Sequence, residues 1–76
     1  MIWRERIICD PGILAGKPTL KGTRVSVEQV LSLLAGGTTW ASILENYPRL
    51  KAEDIEACLS YAAEMAATRP SVPLAS

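Results

Sequence analysis

Two interruptions in the C-terminal part of the chain, Gly36-Gly37 and Pro48, constrain its fold more than any other feature. They cut the sequence into three short segments, and each segment carries apolar residues at helical spacing. Val27, Val30, Leu31 and Leu34 recur at i, i+3, i+4 and i+7, which is one face of a helix. Ser26 stands just before them with Gln29 three residues on, an S-x-x-Q capping box. Gly36 and Gly37 end this first helix. Thr39 is placed to cap a second, in which Trp40, Ile43, Leu44 and Tyr47 repeat the spacing. Pro48 stops it, because the residue before a proline is pushed out of helical geometry. The third helix is expected from about Ala52 to Ala67, with Ile55, Cys58, Leu59, Ala62 and Met65 or Ala66 as its buried stripe. Glu53 and Asp54 fall in its first turn, where carboxylates favour the helix dipole. Lys51 is a poor N-cap, at a cost of about 1 kcal/mol or less.

The N-terminal part has a different pattern. "RIIC" reads as a short strand. "DPG" breaks it, with Pro11 fixing a turn and Gly12 free to take positive φ. "ILAG" fits no single element. "PTLKGTRV" reads as a β-hairpin: Thr19-Leu20, a primed turn at Lys21-Gly22, then Thr23 to Val25. Pro18 lacks an amide donor and belongs at a strand start or an edge. The expected fold is mainly α: a trihelical bundle with helix-turn-helix proportions, preceded by a short strand and a hairpin. One domain should cover residues 1–67, with strand and hairpin at 1–25 and the bundle at 26–67. Residues 68–76, "TRPSVPLAS", read as an extended tail. Ile2 and Trp3 are too apolar for a free end, so an edge strand at "WRERIIC" is expected to pair with a second copy as a homodimer.

At 76 residues the chain is a single small domain, and its 49% apolar content excludes disorder. Eight basic and eight acidic residues cancel, which argues against indiscriminate coating of nucleic acid. The charge is unevenly spread. Arg4, Arg6, Lys17, Lys21 and Arg24 against Glu5 and Asp10 leave residues 1–24 at +3, and residues 25–76 carry −3. Each charge alone reads as part of a solvated face. Together they suggest a basic end for an anion and an acidic end for a basic partner. Cys9 and Cys58 match no metal knuckle and no redox pair, so both read as buried free thiols. With a charged opening run unlike a leader and no membrane-length apolar run, the expected compartment is the cytoplasm.

Catalysis is not expected. Histidine is absent, which leaves Ser26, Ser32, Ser42 and Ser60 without their usual activating base. Glu53, Asp54 and Glu56 read as a solvated helical face. "GILAGKPT" falls one residue short of a Walker loop, and Pro18 removes an amide that a phosphate would need. No cofactor or metal is expected. The remaining candidates for contact with nucleic acid or a protein partner are Lys17, Lys21 and Arg24 in the hairpin, with Arg49 and Lys51 beyond the second helix. Arg24 has an equal rival role, clamping a carboxylate or helix-end carbonyls. The third helix shows almost no Arg, Lys, Asn or Gln with which to read a groove of DNA.

Asp10-Pro11, Gly16-Lys17-Pro18, Gly22-Thr23-Arg24, Gly36-Gly37 and Tyr47-Pro48 stand in order along the chain. Leu50, Glu53, Asp54, Ile55 and Ala57 follow as L-x-x-E-D-I-x-A. In this order and spacing, over about residues 6–62, the chain resembles the domain of unknown function 433 family. The resemblance implies a homeodomain-like core and a bacterial or archaeal cytoplasmic antitoxin that silences a PIN-like nuclease toxin. It also implies possible dimeric binding to operator DNA. Alternatives are a stand-alone DNA-binding transcriptional regulator and a non-catalytic accessory domain.

Overall fold

The computed structural model describes residues 3–68. It consists of three helices and a two-stranded antiparallel sheet. A single 3-10 turn at Trp3–Glu5 leads into strand β1, Ile7–Ile8, which pairs with β2, Thr19–Leu20. Helices α1 (Val27–Ala35), α2 (Trp40–Asn46) and α3 (Ala52–Thr68) follow, and each touches the other two.

The helix ends are where the sequence signals put them. The Ser26 hydroxyl accepts from the Gln29 amide at 3.0 Å, and the Thr39 hydroxyl accepts from the Ser42 amide at 3.1 Å. Only half of the expected capping box forms, because the Gln29 amide side chain donates to the Tyr47 hydroxyl at 2.8 Å instead. At the end of α1, Gly37 has φ +92°. Its amide bonds to the Leu34 carbonyl, and the Thr38 amide bonds to Leu33. This is the Schellman pairing, and it satisfies carbonyls the helix would otherwise leave open.

The core is one cluster: Ile7 and Leu20 from the sheet, Val27 and Val30 from α1, Ile43 from α2, Leu50, and Ile55, Ala57 and Cys58 from α3. Ile7 and Leu20 are direct cross-strand partners, so the sheet lays one apolar pair onto the bundle. Two strands of two residues have no independent stability. They are held by what they cover.

The N-terminal segment is pinned to α3 at two places. Near the start of α3, Asp54 lies buried, with only 12% of its side chain exposed. One carboxylate oxygen accepts from the Lys51 amide at 2.8 Å, and the other accepts from the Arg6 guanidinium at 3.1 Å. Farther along α3, Trp3 packs edge-on against Tyr61 with ring centroids 4.8 Å apart. Its indole N–H donates to Glu64, which also accepts from Arg4 at 3.2 Å. Arg4 lies over the Trp3 ring, 4.6 Å from its centroid. Residues 54, 57, 61 and 64 therefore form a second inward stripe on α3, covered by the N-terminal segment, while 55 and 58 join the helix core.

Several expectations change. "WRERIIC" forms no continuous edge strand: Trp3–Glu5 is a helical turn, and only Ile7–Ile8 is a strand. Thr19-Leu20 pairs with the distant Ile7–Ile8, while Thr23 to Val25 form no strand; the returning chain meets β2 through the Leu20 amide to Val25 carbonyl bond and one bridge, Thr19 opposite Ser26. The Leu20–Thr23 turn has positive φ only at Gly22 (+80°), its third position. That is a type II turn and not a primed one. "ILAG" becomes a left-handed turn, with φ 49° at Leu14, 55° at Ala15 and 83° at Gly16, and Gly12 keeps ordinary φ. Leu59 (41% exposed) and Trp40 (38%) face outward, Ala66 is exposed, and Asp54 is no part of a solvated face. Helix α3 runs to Thr68, and the rest of the expected tail lies outside the described residues, as does Ile2.

Removing Asp54 orphans the Lys51 amide and leaves the half-buried Arg6 unpaired. Asp54→Ala is expected to cost about 2–3 kcal/mol, read from urea unfolding. Asp54→Asn should recover only part of this, because its amide nitrogen must face one of two donors. At the other pin, the Trp3 indole and then Arg4 hold the Glu64 carboxyl below the usual glutamate range. A lowered native pKa means that its contribution is full above the unfolded value. It is lost as pH falls through the native one. In a Trp40→Phe background, Trp3 fluorescence should change as pH drops below about 4.3, the usual glutamate value. Glu64→Gln should abolish that transition.

Candidate docking groove

A groove runs between the Leu20–Thr23 turn and the segment joining α2 to α3. The turn is built by a short network. The Thr23 hydroxyl donates to the Leu20 carbonyl at 2.7 Å and accepts from the Val25 amide at 3.0 Å. With the turn locked at Gly22 and the chain drawn back by the Leu20 amide to Val25 carbonyl bond (2.9 Å), Arg24 is left on the outside. The opposite wall is the turn Tyr47–Leu50, closed by the Leu50 amide on the Tyr47 carbonyl at 2.9 Å. Pro48 sits at its second position, where fixed φ suits the turn.

The groove has a volume of about 770 Å³. Ile13, Val25, Tyr47, Pro48 and Leu50 supply its apolar lining, Arg24 and Arg49 its charge, and no carboxylate of the described residues lines it. The Arg49 guanidinium reaches the Gly22 carbonyl across the groove at 3.5 Å, the outer limit of a hydrogen bond. Arg24 has no hydrogen bond or ion pair among the described residues, so no clamp by Arg24 is seen there. That role belongs to Arg6, which the sequence reading passed over. The signal that could have found it was the buried need of Asp54 for a cation, visible only once α3 is placed.

The five candidate cations do not form one patch. Lys17 pairs with Glu28 on α1 at 3.2 Å. Lys21 lines a separate, smaller depression with Glu5, Arg6 and Asp54. Lys51 is exposed at the start of α3, where its amide serves the cap and its side chain has no described partner. Arg24 and Arg49 alone of the five line the same groove. The apolar residues beside them, Ile13 and Leu50 in particular, carried no local signal.

The acidic face is thinner than the composition suggests. Asp54 is bound to Arg6, Glu64 to Trp3 and Arg4, and Glu28 to Lys17, which leaves Glu45, Glu53 and Glu56 exposed. Among the described residues no group of three or more His, Cys, Asp or Glu side chains is gathered to hold a metal, and no helix is long and apolar enough to cross a membrane.

This geometry defines a class: a small, mainly helical domain whose N-terminal segment is strapped onto three helices beside an apolar groove edged with arginine. The family model described as "Protein of unknown function (DUF433)" matches residues 7–62, and the chain belongs to that family. It is similar to "Uncharacterized protein y4eO" of Sinorhizobium fredii (strain NBRC 101917 / NGR234), at 41% identity over 59 residues. The match covers 78% of this chain and 27% of that protein, so the chain spans about a quarter of its relative's length. No solved structure matches the chain significantly.

The two cysteines differ in kind. Cys58 is buried as expected, and burial first, with the Asp54 carboxylate second, pushes its thiol up to about 12. Cys9 is exposed, contrary to expectation. A maleimide at pH 7.5 is expected to modify one thiol per folded chain, at Cys9, and two in denaturant. Rapid native labelling of Cys58 in a Cys9→Ser variant would contradict this burial.

Proposed function

We propose that the chain is an antitoxin-like interaction module, acting in the cytoplasm, that binds and neutralises a PIN-like nuclease toxin. The groove is the observation that carries this reading. Its apolar floor and arginine rim suit docking to another macromolecule, with no arrangement of nucleophile and base beside them. The family resemblance supplies the kind of partner. The greater length of y4eO supports a domain that works in company with other domains. The homeodomain-like comparison belongs to the same proposal, and so does dimerisation on operator DNA.

Operator binding is the weaker reading. The exposed residues at the start of α3 include Glu53 and Glu56, which phosphates would repel. Lys17 lies beside Glu28, whose carboxylate offsets its charge locally.

The test is co-expression with the product of the neighbouring gene. Growth should be restored and the two chains should co-purify. A PIN-like neighbour that stays toxic and unbound would sink the proposal. A DNA regulator would instead shift its own promoter fragment with strong salt dependence and no need for the neighbour.

A further inference from the structure

We infer that the groove takes an extended segment of a partner protein in which a bulky apolar side chain lies next to a carboxylate. The inference deepens the interaction-module reading by giving the chemistry of the occupant, and it rests on that reading only for there being a protein partner.

Charge complementarity carries it. The other cations of the N-terminal segment mostly pair with carboxylates of the same chain: Arg4 with Glu64, Arg6 with Asp54 and Lys17 with Glu28. Among the described residues Arg24 has no such partner, and Arg49 has only a carbonyl at 3.5 Å. Both line one groove, and no carboxylate of the described residues lines it. Guanidinium groups offer paired N–H donors that match a carboxylate fork. The same lining includes Ile13, Val25 and Pro48, which gain by covering an apolar side chain. A volume of about 770 Å³ accommodates more than one side chain.

Nucleic acid fits less well. A phosphate backbone requires a track of cations, and only two line this otherwise mostly apolar groove. The formal net charge of the chain is zero, so no broad field draws a polyanion in.

Random dodecapeptides displayed on phage and selected against the full chain test the inference. Enriched sequences should place Asp or Glu beside Leu, Ile, Phe or Trp. A synthetic peptide of the enriched sequence should perturb the amide resonances of Val25, Tyr47 and Leu50. The double variant Arg24→Glu/Arg49→Glu should weaken that peptide at least about tenfold. It should also select basic-apolar peptides in its place. Both arginines are exposed, so its thermal midpoint and circular dichroism should match wild type. Enrichment of neutral or basic peptides on wild type, binding indifferent to the double variant, or no enrichment at all would overturn the inference. A short DNA duplex that shifts the same resonances as strongly would also overturn it, in favour of a phosphate contact.

The two levels fail separately. A toxin bound equally by wild type and double variant retires the groove and keeps the antitoxin reading. Acidic-apolar peptides bound through the arginines, with the neighbouring toxin ignored, do the reverse.

Discussion

The buried carboxylate of Asp54 is the constraint on which the structure depends. Helix α3 begins at Ala52 after a lysine, a residue with no side-chain oxygen to cap the free amides. Asp54 reaches back to the Lys51 amide with one oxygen, the reverse half of a capping box. A carboxylate taken out of water needs a cation, and Arg6 supplies it from the strand end. The same group therefore starts the longest helix and fixes the N-terminal segment against it. A chain of this size buries only about 60% of its unfolded surface, so a shared anchor matters more than in a larger domain. Without it the short sheet would rely on the apolar contact of Ile7 and Leu20, the Thr19–Ser26 bridge and the more exposed pin at Trp3 and Glu64.

The uneven charge of the sequence acquires a physical meaning from this arrangement. Each of the three ion pairs among the described residues joins residues 1–24 to the helical part: Arg4 to Glu64, Arg6 to Asp54, Lys17 to Glu28. The basic half and the acidic half are complementary to each other first. The exposed pairs, Arg4–Glu64 and Lys17–Glu28, add little, about 0–1 kcal/mol each. Their effect is on register, since they discriminate against other ways of laying the segment on the bundle. What they leave behind is informative. Among the described residues Arg24, Arg49, Lys21 and Lys51 pair with no carboxylate, and of these only Arg24 and Arg49 share a groove.

The helices were legible because their signals are local. The stripe of α1, its serine cap and its double-glycine end depend only on neighbours a few residues away, and all are present. The third helix was legible in extent but only partly in orientation. Its stripe was read as facing one partner, so Leu59 was placed inside and Asp54 outside. In fact two surfaces converge on α3, and the N-terminal segment covers the Asp54, Ala57, Tyr61 and Glu64 side. The strand pairing was illegible for the same reason. Thr19-Leu20 pairs as a strand with residues a dozen positions away, and meets the nearer arm that a hairpin would supply only at the Thr19–Ser26 bridge and its flanking hydrogen bonds. The candidate cations were all named from the sequence, but which two would meet depends on how the Leu20–Thr23 turn packs beside the Tyr47–Leu50 turn. No local spacing encodes that.

The left-handed turn at Leu14, Ala15 and Gly16 bears on the groove from another side. Glycine adopts positive φ without penalty, but leucine and alanine each lose about 1–2 kcal/mol there. The preceding residue, Ile13, lines the groove, while Leu14 stands 37% exposed with no core to fill. Bonds from the Gly16 amide to the Ile13 carbonyl and from the Lys17 amide to the Leu14 carbonyl, both 3.1 Å, hold the turn in place. Packing in the core does not account for this strain, since none of Ile13 to Gly16 belongs to the core. Strain of this kind persists only where the surroundings over-determine it, and it tends to collect at contact sites. The strained residues do not themselves line the groove; Ile13 does, at an ordinary φ of −124°, and the left-handed turn begins at the residue that follows it, so the strain sits beside the groove and not in the core.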